Sequence, residues 1–284
     1  MPTIITCTDG SLYAPSVYDL SAWAARRMHA GIHVLHMLDF HRERAQIADF
    51  SGSIGVDARE ALMQELVALE EAKGRVALNK GRAILSEAER QIKAAGIERV
   101  KTEQRHGALV ETLEEMEQAA DMVVIGRRGE SADFAKLHLG GNVERVIRSS
   151  IRPVLIASRK FVPIEKFLIA FDGSPSAKKA VAYAVEQPLL KGLECHLLMV
   201  GHSDAGHNQE LESARSQLAE AGYAVVSRHL SGDVEKVIAE VIQAEKIQLL
   251  VMGAYGHSRI RQLIVGSTTT TMVRTSLVPV LMFR

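Results

Sequence analysis

Short runs of uninterrupted apolar residues alternate along the chain with stretches that are apolar on one side only. In the second half the runs fall at 167–171, 196–200, 224–228, 249–252 and 278–283. Their length and near-continuous hydrophobicity predict strands covered on both faces. Between them, 176–186, 208–221, 233–245 and 268–275 carry apolar residues at helical spacing, as Val234, Ile238 and Val241 show. Asp233, directly after Gly232, predicts an N-cap. Strand–helix alternation with short connections predicts a parallel sheet with helices on both sides. This is the α/β doubly wound class, whose ligands bind beyond the carboxyl ends of the strands.

The pattern occurs twice. TIITCTDGS at 3–11 corresponds to KFLIAFDGS at 166–174, an offset of 163 residues. Gly126 and Gly129 correspond to Gly253 and Gly256 at an offset of 127, and IRPVLIAS at 151–158 to LVPVLMFR at 277–284 at an offset of 126. Matched blocks in the same order predict two copies of one domain, residues 1–157 and 166–284, joined around 159–165. The first copy holds 36 more residues between Asp9 and Gly126 than the second holds between Asp172 and Gly253. Within this insertion, 57–95 lacks proline, and Leu62, Leu66, Leu69, Ile84, Ala88 and Ile92 suggest helix. Gly74 and Gly81 argue against one helix of that length. SGSIG at 51–55 reads as a loop. The helical part either covers the sheet or projects towards an oligomer contact.

Composition narrows the function. Lys+Arg and Asp+Glu both number 34, so the formal net charge is zero. That removes the electrostatic argument for a broad nucleic-acid or acidic-membrane surface. The two cysteines, Cys7 and Cys195, lie in separate apolar runs and cannot form a disulfide framework or a metal cluster. No run approaches the roughly 20 apolar residues of a membrane helix, and MPTIITCTDG lacks the features of a signal peptide. A soluble cytoplasmic protein is expected.

The sharpest chemical signal is Gly253-Ala-Tyr-Gly256, nine residues, then Gly266-Ser267, with Thr268 opening a helix. A glycine turn after a strand lets backbone N–H groups approach a phosphate, and a helix N-terminus adds oriented donors. The dipole alone contributes only about 0.3–1 kcal/mol, so the Ser267 and Thr268 hydroxyls matter as further donors. The plain alternative is tight-turn geometry at Gly253 and Gly256 and an ordinary cap at Ser267. Four consecutive threonines, 268–271, are poor helix formers that a simple helix start does not require. Asp172 ends the first strand of the second copy, as Asp9 does in the first. Such a carboxylate can accept a hydrogen bond from a ribose, hold a metal that neutralises phosphate, or simply build a turn before glycine. No Walker A Lys-Ser/Thr ending is present, the loop after strand one lacks dense glycines, and no nucleophile–base pair can be assembled. His36 and His196 read as core or edge histidines, and His202 and His207 show no metal spacing.

Together, DGS after strand one, the glycine motif after strand four and the closing PVL strand of each copy resemble the universal stress protein family in tandem form, over essentially the whole chain. The resemblance implies an adenine-nucleotide alpha-hydrolase-like fold. Members that bind ATP carry G-x2-G-x9-G-(S/T), matched at Gly253, Gly256, Gly266 and Ser267. It implies phosphate and ribose contacts there, a contribution from Asp172, through Mg where a metal takes part, and a backbone contact to adenine at Val200. The first copy departs from the motif. Gly126-Arg127-Arg128-Gly129 is followed by ten residues before Gly140, and Gly141-Asn142 replace Ser-Thr. Losing a hydroxyl removes a hydrogen bond of about 0.5–1.5 kcal/mol, which Arg127 and Arg128 can offset by pairing with phosphate, the plain alternative being a solvated pair of loop arginines. Together with Asp9 these form the weaker candidate site, which binds less tightly, takes another nucleotide, or stays empty; for the protein as a whole, ADP or AMP is the alternative to ATP as ligand. Family dimers pair their closing strands, so the two copies are expected to pair within one chain as a pseudo-dimer, with homodimerisation of the whole chain left open. The implied function is stress-associated ATP binding with a regulatory readout; slow ATP hydrolysis and a ligand-free scaffold are the alternatives.

Overall fold

The computed structural model describes residues 1–38, 56–127, 141–254 and 267–284. Among the described residues, ten strands form one sheet. The first half supplies β1 (Thr3–Cys7), β2 (Gly31–Leu38), β3 (Val100–His106), β4 (Met122–Gly126) and β5 (Val154–Ala157). The second supplies β6 (Lys166–Ala170), β7 (Glu194–Val200), β8 (Val225–Leu230), β9 (Leu249–Gly253) and β10 (Val280–Phe283). Their order is β3-β2-β1-β4-β5-β10-β9-β6-β7-β8. Neighbours within each half pair parallel, whereas β5 and β10 meet antiparallel, with Leu281 opposite Leu155 and Met282 opposite Val154. The expected intramolecular pseudo-dimer is present: two apolar closing strands that would each be an exposed edge cover one another.

The described helices are α1 (Ala14–Met28), α2 (Val56–Ala94), α3 (Leu109–Met116), α4 (Gly141–Ser149), α5 (Pro175–Glu186), α6 (Ala205–Glu220), α7 (Val234–Ala244) and α8 (Ser267–Thr275). Asp233 caps α7 as its position predicts, accepting from the Lys236 N–H at 3.0 Å. Alternating strand residues separate two apolar layers. Ile4, Trp23, Ile92, Phe167 and Leu218 belong to one, and Ile5, Leu113, Val146, Ile238 and Met272 to the other. Each layer contains residues of both halves and runs unbroken across the β5–β10 seam.

One expectation is corrected. α2 is a single helix of 39 residues despite Gly74 and Gly81. A Cβ at Gly81 would lie 2.8 Å from Gln104 Cδ and from His36 Cδ2. The glycine therefore brings the helix close against β2 and β3, and this packing offsets the helix propensity lost, about 1 kcal/mol. Exposed pairs along the helix, among them Lys73–Glu70, Arg90–Glu87 and Lys93–Glu89, add small local support. The loop read at 51–55 lies outside the described residues.

Candidate functional site

In the second half the sheet order places β6 between β9 and β7, so the chain leaves β6 at the point where the order reverses. Ala170 pairs with Met252 on one side and Leu198 on the other. Asp172, Val200 and Gly253 therefore lie at the same carboxyl edge, each one or two residues past this row. The described structure brings these three predicted residues together. Ser267 opens α8, as expected for a helix following the glycine loop; the side chains of Ser267 and Thr268, like Gly256 and Gly266, lie outside the described residues.

The DGS turns of the two halves are alike. Gly10 and Gly173 both have φ +72°, a left-handed conformation that favours glycine. In each turn the aspartate Oδ1 accepts from the serine N–H two residues on, at 3.0 Å for Asp9–Ser11 and 3.0 Å for Asp172–Ser174. The second turn runs directly into a capped helix: Ser174 Oγ accepts from Ala177 N–H at 3.2 Å at the start of α5. Gly253 touches that same start, because an added Cβ would stand 2.9 Å from Ala177 N. Its missing side chain thus lets the end of β9 abut α5, a packing reason for glycine that does not depend on phosphate.

What lies over the turns differs. Above Gly173 sits the carboxylate of Glu210 from α6, paired with Lys178 of α5 at 2.7 Å. Both are substantially exposed, so the pair contributes little stability but makes the surface polar. Beside them a groove of about 910 Å³ opens between α5 and α6, lined by Phe171, Lys178, Asp204, His207, Glu210 and Gln217 among others. Above Gly10 stands Ile84 of α2, whose Cδ1 would be 2.7 Å from an added Cβ. Tyr18 occupies the third position after the α1 proline, as Lys178 does after the α5 proline, and its hydroxyl lies 2.7 Å from Thr8 Oγ1. The side chain over the glycine is apolar at the first turn and charged at the second.

The remaining first-half candidates are placed as follows. Gly126 ends β4, and Gly141 and Asn142 open α4. Arg127 is buried, its guanidinium nitrogens 3.5 and 3.4 Å from the carbonyl oxygens of Arg274 and Val278 in the other half. Arg128, Gly129 and Gly140 lie outside the described residues. Reciprocally, Arg284 reaches Ser149 O at the end of α4, 3.3 Å away.

The reactive residue types near the strands have structural settings. Burial pushes the Cys7 thiol up to about 12, with a smaller contribution from Glu117, and burial also pushes Cys195 up to about 12, which suppresses thiolate chemistry. His36 Nδ1 lies 2.9 Å from Thr8 O, a core histidine as its sequence context suggests. Among the described residues no group of three or more His, Cys, Asp or Glu is arranged to hold a metal ion. Nor is any described helix long and apolar enough to cross a membrane. Sequence reading missed Glu210 and Ile84, because nothing in an amphipathic helix marks which residue will stand over a glycine turn.

A universal stress protein of Synechocystis sp. is 38% identical to this chain over 287 residues, covering 100% of both. A universal stress protein of Mycolicibacterium smegmatis is 25% identical, covering 65% of this chain and 69% of that one. Among solved structures, a universal stress protein from Archaeoglobus fulgidus superposes with a TM-score of 0.71 over 99% of this chain and 98% of that one, at 23% identity, a likeness of fold. The model of the universal stress protein family matches residues 1–158 and again 163–284. With its unit present twice in one continuous sheet, the chain belongs to the universal stress protein family as a tandem member.

Proposed function

We propose that this protein binds ATP as a regulatory ligand and holds it mainly in the second half. The observation that carries the reading is the alignment of Asp172, Val200 and Gly253 at the carboxyl ends of three adjacent strands, where the sheet order reverses. Asp172 would face the ribose or an Mg²⁺ ion shared with the phosphates. The backbone at Val200 would meet adenine. Gly253, Gly256, Gly266, Ser267 and Thr268 would surround the phosphates, which need several donors in addition to one helix end. The polar rim supplied by Lys178 and Glu210 suits a charged ligand better than Ile84 and Tyr18 of the first half. The first half, with Asp9, Gly126 and Asn142, is accordingly the weaker site. Bound ATP serves to bias the surface or assembly of the protein.

Two measurements test this. Nucleotide released from heat-denatured purified protein and identified by mass spectrometry should be ATP; ADP or AMP alone points to turnover or another selectivity, and none supports a scaffold role. Gly266→Ala should weaken ATP binding at least tenfold, about 1.4 kcal/mol, with the fold intact, whereas Gly140→Ala should change it little. Normal ATP binding by both variants would sink the phosphate-loop reading. Gly253→Ala is the wrong variant for this purpose, since it would also disturb the packing of β9 on α5.

A further inference from the structure

A groove of about 650 Å³ opens over the first half of the sheet. Thr3, Gly31 and Val100, the first residues of β1, β2 and β3, line one end of it, so it lies towards the amino edge, away from Asp9 and Gly126. Glu115 and Met116 at the end of α3, and Ala120 before β4, form the facing wall. Its size falls within the range of small-molecule sites, about 300–1,000 Å³.

The repeat shows why it is open. Strand register equates Thr3 with Lys166, Gly31 with Glu194 and Ala120 with Ile247. In the second half Glu194 Oε1 takes both Lys166 Nζ at 3.0 Å and His196 Nε2 at 2.9 Å, and Ile247 is buried. The three smaller counterparts all line the groove. Accordingly the His196 side chain is 4% exposed, and that of His33, in the same place, 15%. The second half carries bulk here; the first leaves room.

Charge differs at the same place. Register equates Arg99, Lys101 and Arg105 with Ala224, Val226 and Leu230. Three cations thus line the groove where the repeat has apolar residues. Glu103 is shared among His33, Lys101 at 3.2 Å and Arg105, whose guanidinium also reaches Glu115 at 3.2 Å. Arg99 donates to neutral acceptors, His29 O at 2.7 Å among them. Three fixed cations against two carboxylates leave an excess of one positive charge beside the apolar Ile5, Met116 and Ala120. Room and charge together suit one class of ligand. We propose that this groove binds a small amphipathic monoanion, a carboxylate on an aliphatic or aromatic body, with the body against Ile5, Met116 and Ala120 and the carboxylate towards Lys101 and Arg105. The site is independent of nucleotide, which the opposite edge of the sheet would hold.

Titration calorimetry of the full-length chain with octanoate tests it. One equivalent should bind per chain, with a dissociation constant of about 1 mM or tighter for a ligand of this size. Octanamide, the same body without the charge, should bind at least about fivefold more weakly. The methyl resonance of Met116 should shift as octanoate is added, and ATP should not displace it. Ala120→Ile, which gives the first half the side chain of Ile247, should weaken octanoate about tenfold or more by filling the groove. Lys101→Glu changes an exposed side chain and leaves the packing alone. It should weaken octanoate about tenfold and leave octanamide unchanged, a split that loss of structure cannot produce. The proposal is overturned by a wild type that binds no octanoate, by octanamide binding as tightly, or by an unmoved Met116 resonance. Displacement by ATP, or octanoate affinity unchanged in either variant, overturns it equally.

Discussion

His33 on β2 and His196 on β7 occupy the same place in the two half-sheets, and each lies beside a carboxylate, His33 Nε2 2.8 Å from Glu103 and His196 Nε2 2.9 Å from Glu194. Burial holds the His33 pKa below its ordinary value of 6.5, aided by Lys101 and opposed by Glu103. The folded chain therefore resists a proton that the unfolded chain accepts, so this site's contribution to stability is present above pH 6.5 and is lost as pH falls through the folded pKa. Glu103 responds elsewhere: hydrogen bonding from Arg105 holds it near 2, and its contribution fades only as pH drops below its ordinary 4.5. The two windows are separable. Between pH 7.5 and 5.5 the urea midpoint of the wild type should fall, and His33→Gln should show a smaller fall; an equal fall would remove His33 as a cause. At this scale the sequence read well where chemistry is local. DGS builds the same turn twice, and Asp233 caps its helix. It read less well where a residue's role depends on a distant partner, as with Arg127, drawn to the carbonyl oxygens of Arg274 and Val278.

Strands were legible because a parallel strand covered on both faces must be apolar along its length, and β6, β7, β9 and β10 all lie within two residues of their predicted bounds at each end. Edge strand β3 carries VKTEQRH and offers no such run, since one neighbour and partial cover leave it half exposed. α2 was illegible as one helix for a related reason: glycine propensity is a local quantity, while the close approach that repays it is tertiary. Gly81 makes this testable. Gly81→Ala improves helix propensity by up to about 1 kcal/mol but drives a Cβ into His36, which is buried and bonded to Thr8 O. Overpacking of this kind costs about 1–3 kcal/mol, so the variant should be net destabilised in thermal unfolding. Gly74→Ala, with open space around it, should be neutral or stabilising in dilute protein. A stabilised Gly81→Ala would show that α2 does not rest on β2 as described.

Across the whole molecule the two copies are joined more closely than their repetition suggests. The seam is a strand pair, but both apolar layers also cross it, and side chains reach over it at several points. Arg27 of α1 donates to the carbonyl oxygens of Leu189 and Lys191 in the second half, and it also lies over the Trp23 ring at 5.7 Å. Tyr183 of α5 packs against Phe283 of β10, ring centroids 5.0 Å apart, and its hydroxyl faces Met28 of α1 at 3.9 Å. Exposing either half alone would uncover β5 or β10 and a slice of each core layer, so partial unfolding is penalised. The two halves should therefore unfold together, unlike domains linked by a tether. The sequence supplies its own reporter, because the chain's one tryptophan, Trp23, sits in the first half. Phe167→Ala in the second half removes a fully buried ring that packs edge-on against Tyr223, a change costing about 3–5 kcal/mol. Its effect should appear undiminished in Trp23 fluorescence, with the urea midpoint shifting as far as the midpoint read by far-UV circular dichroism. If the Trp23 transition stays at its wild-type position while the circular dichroism curve splits in two, the halves are energetically separate and the shared core does not couple them.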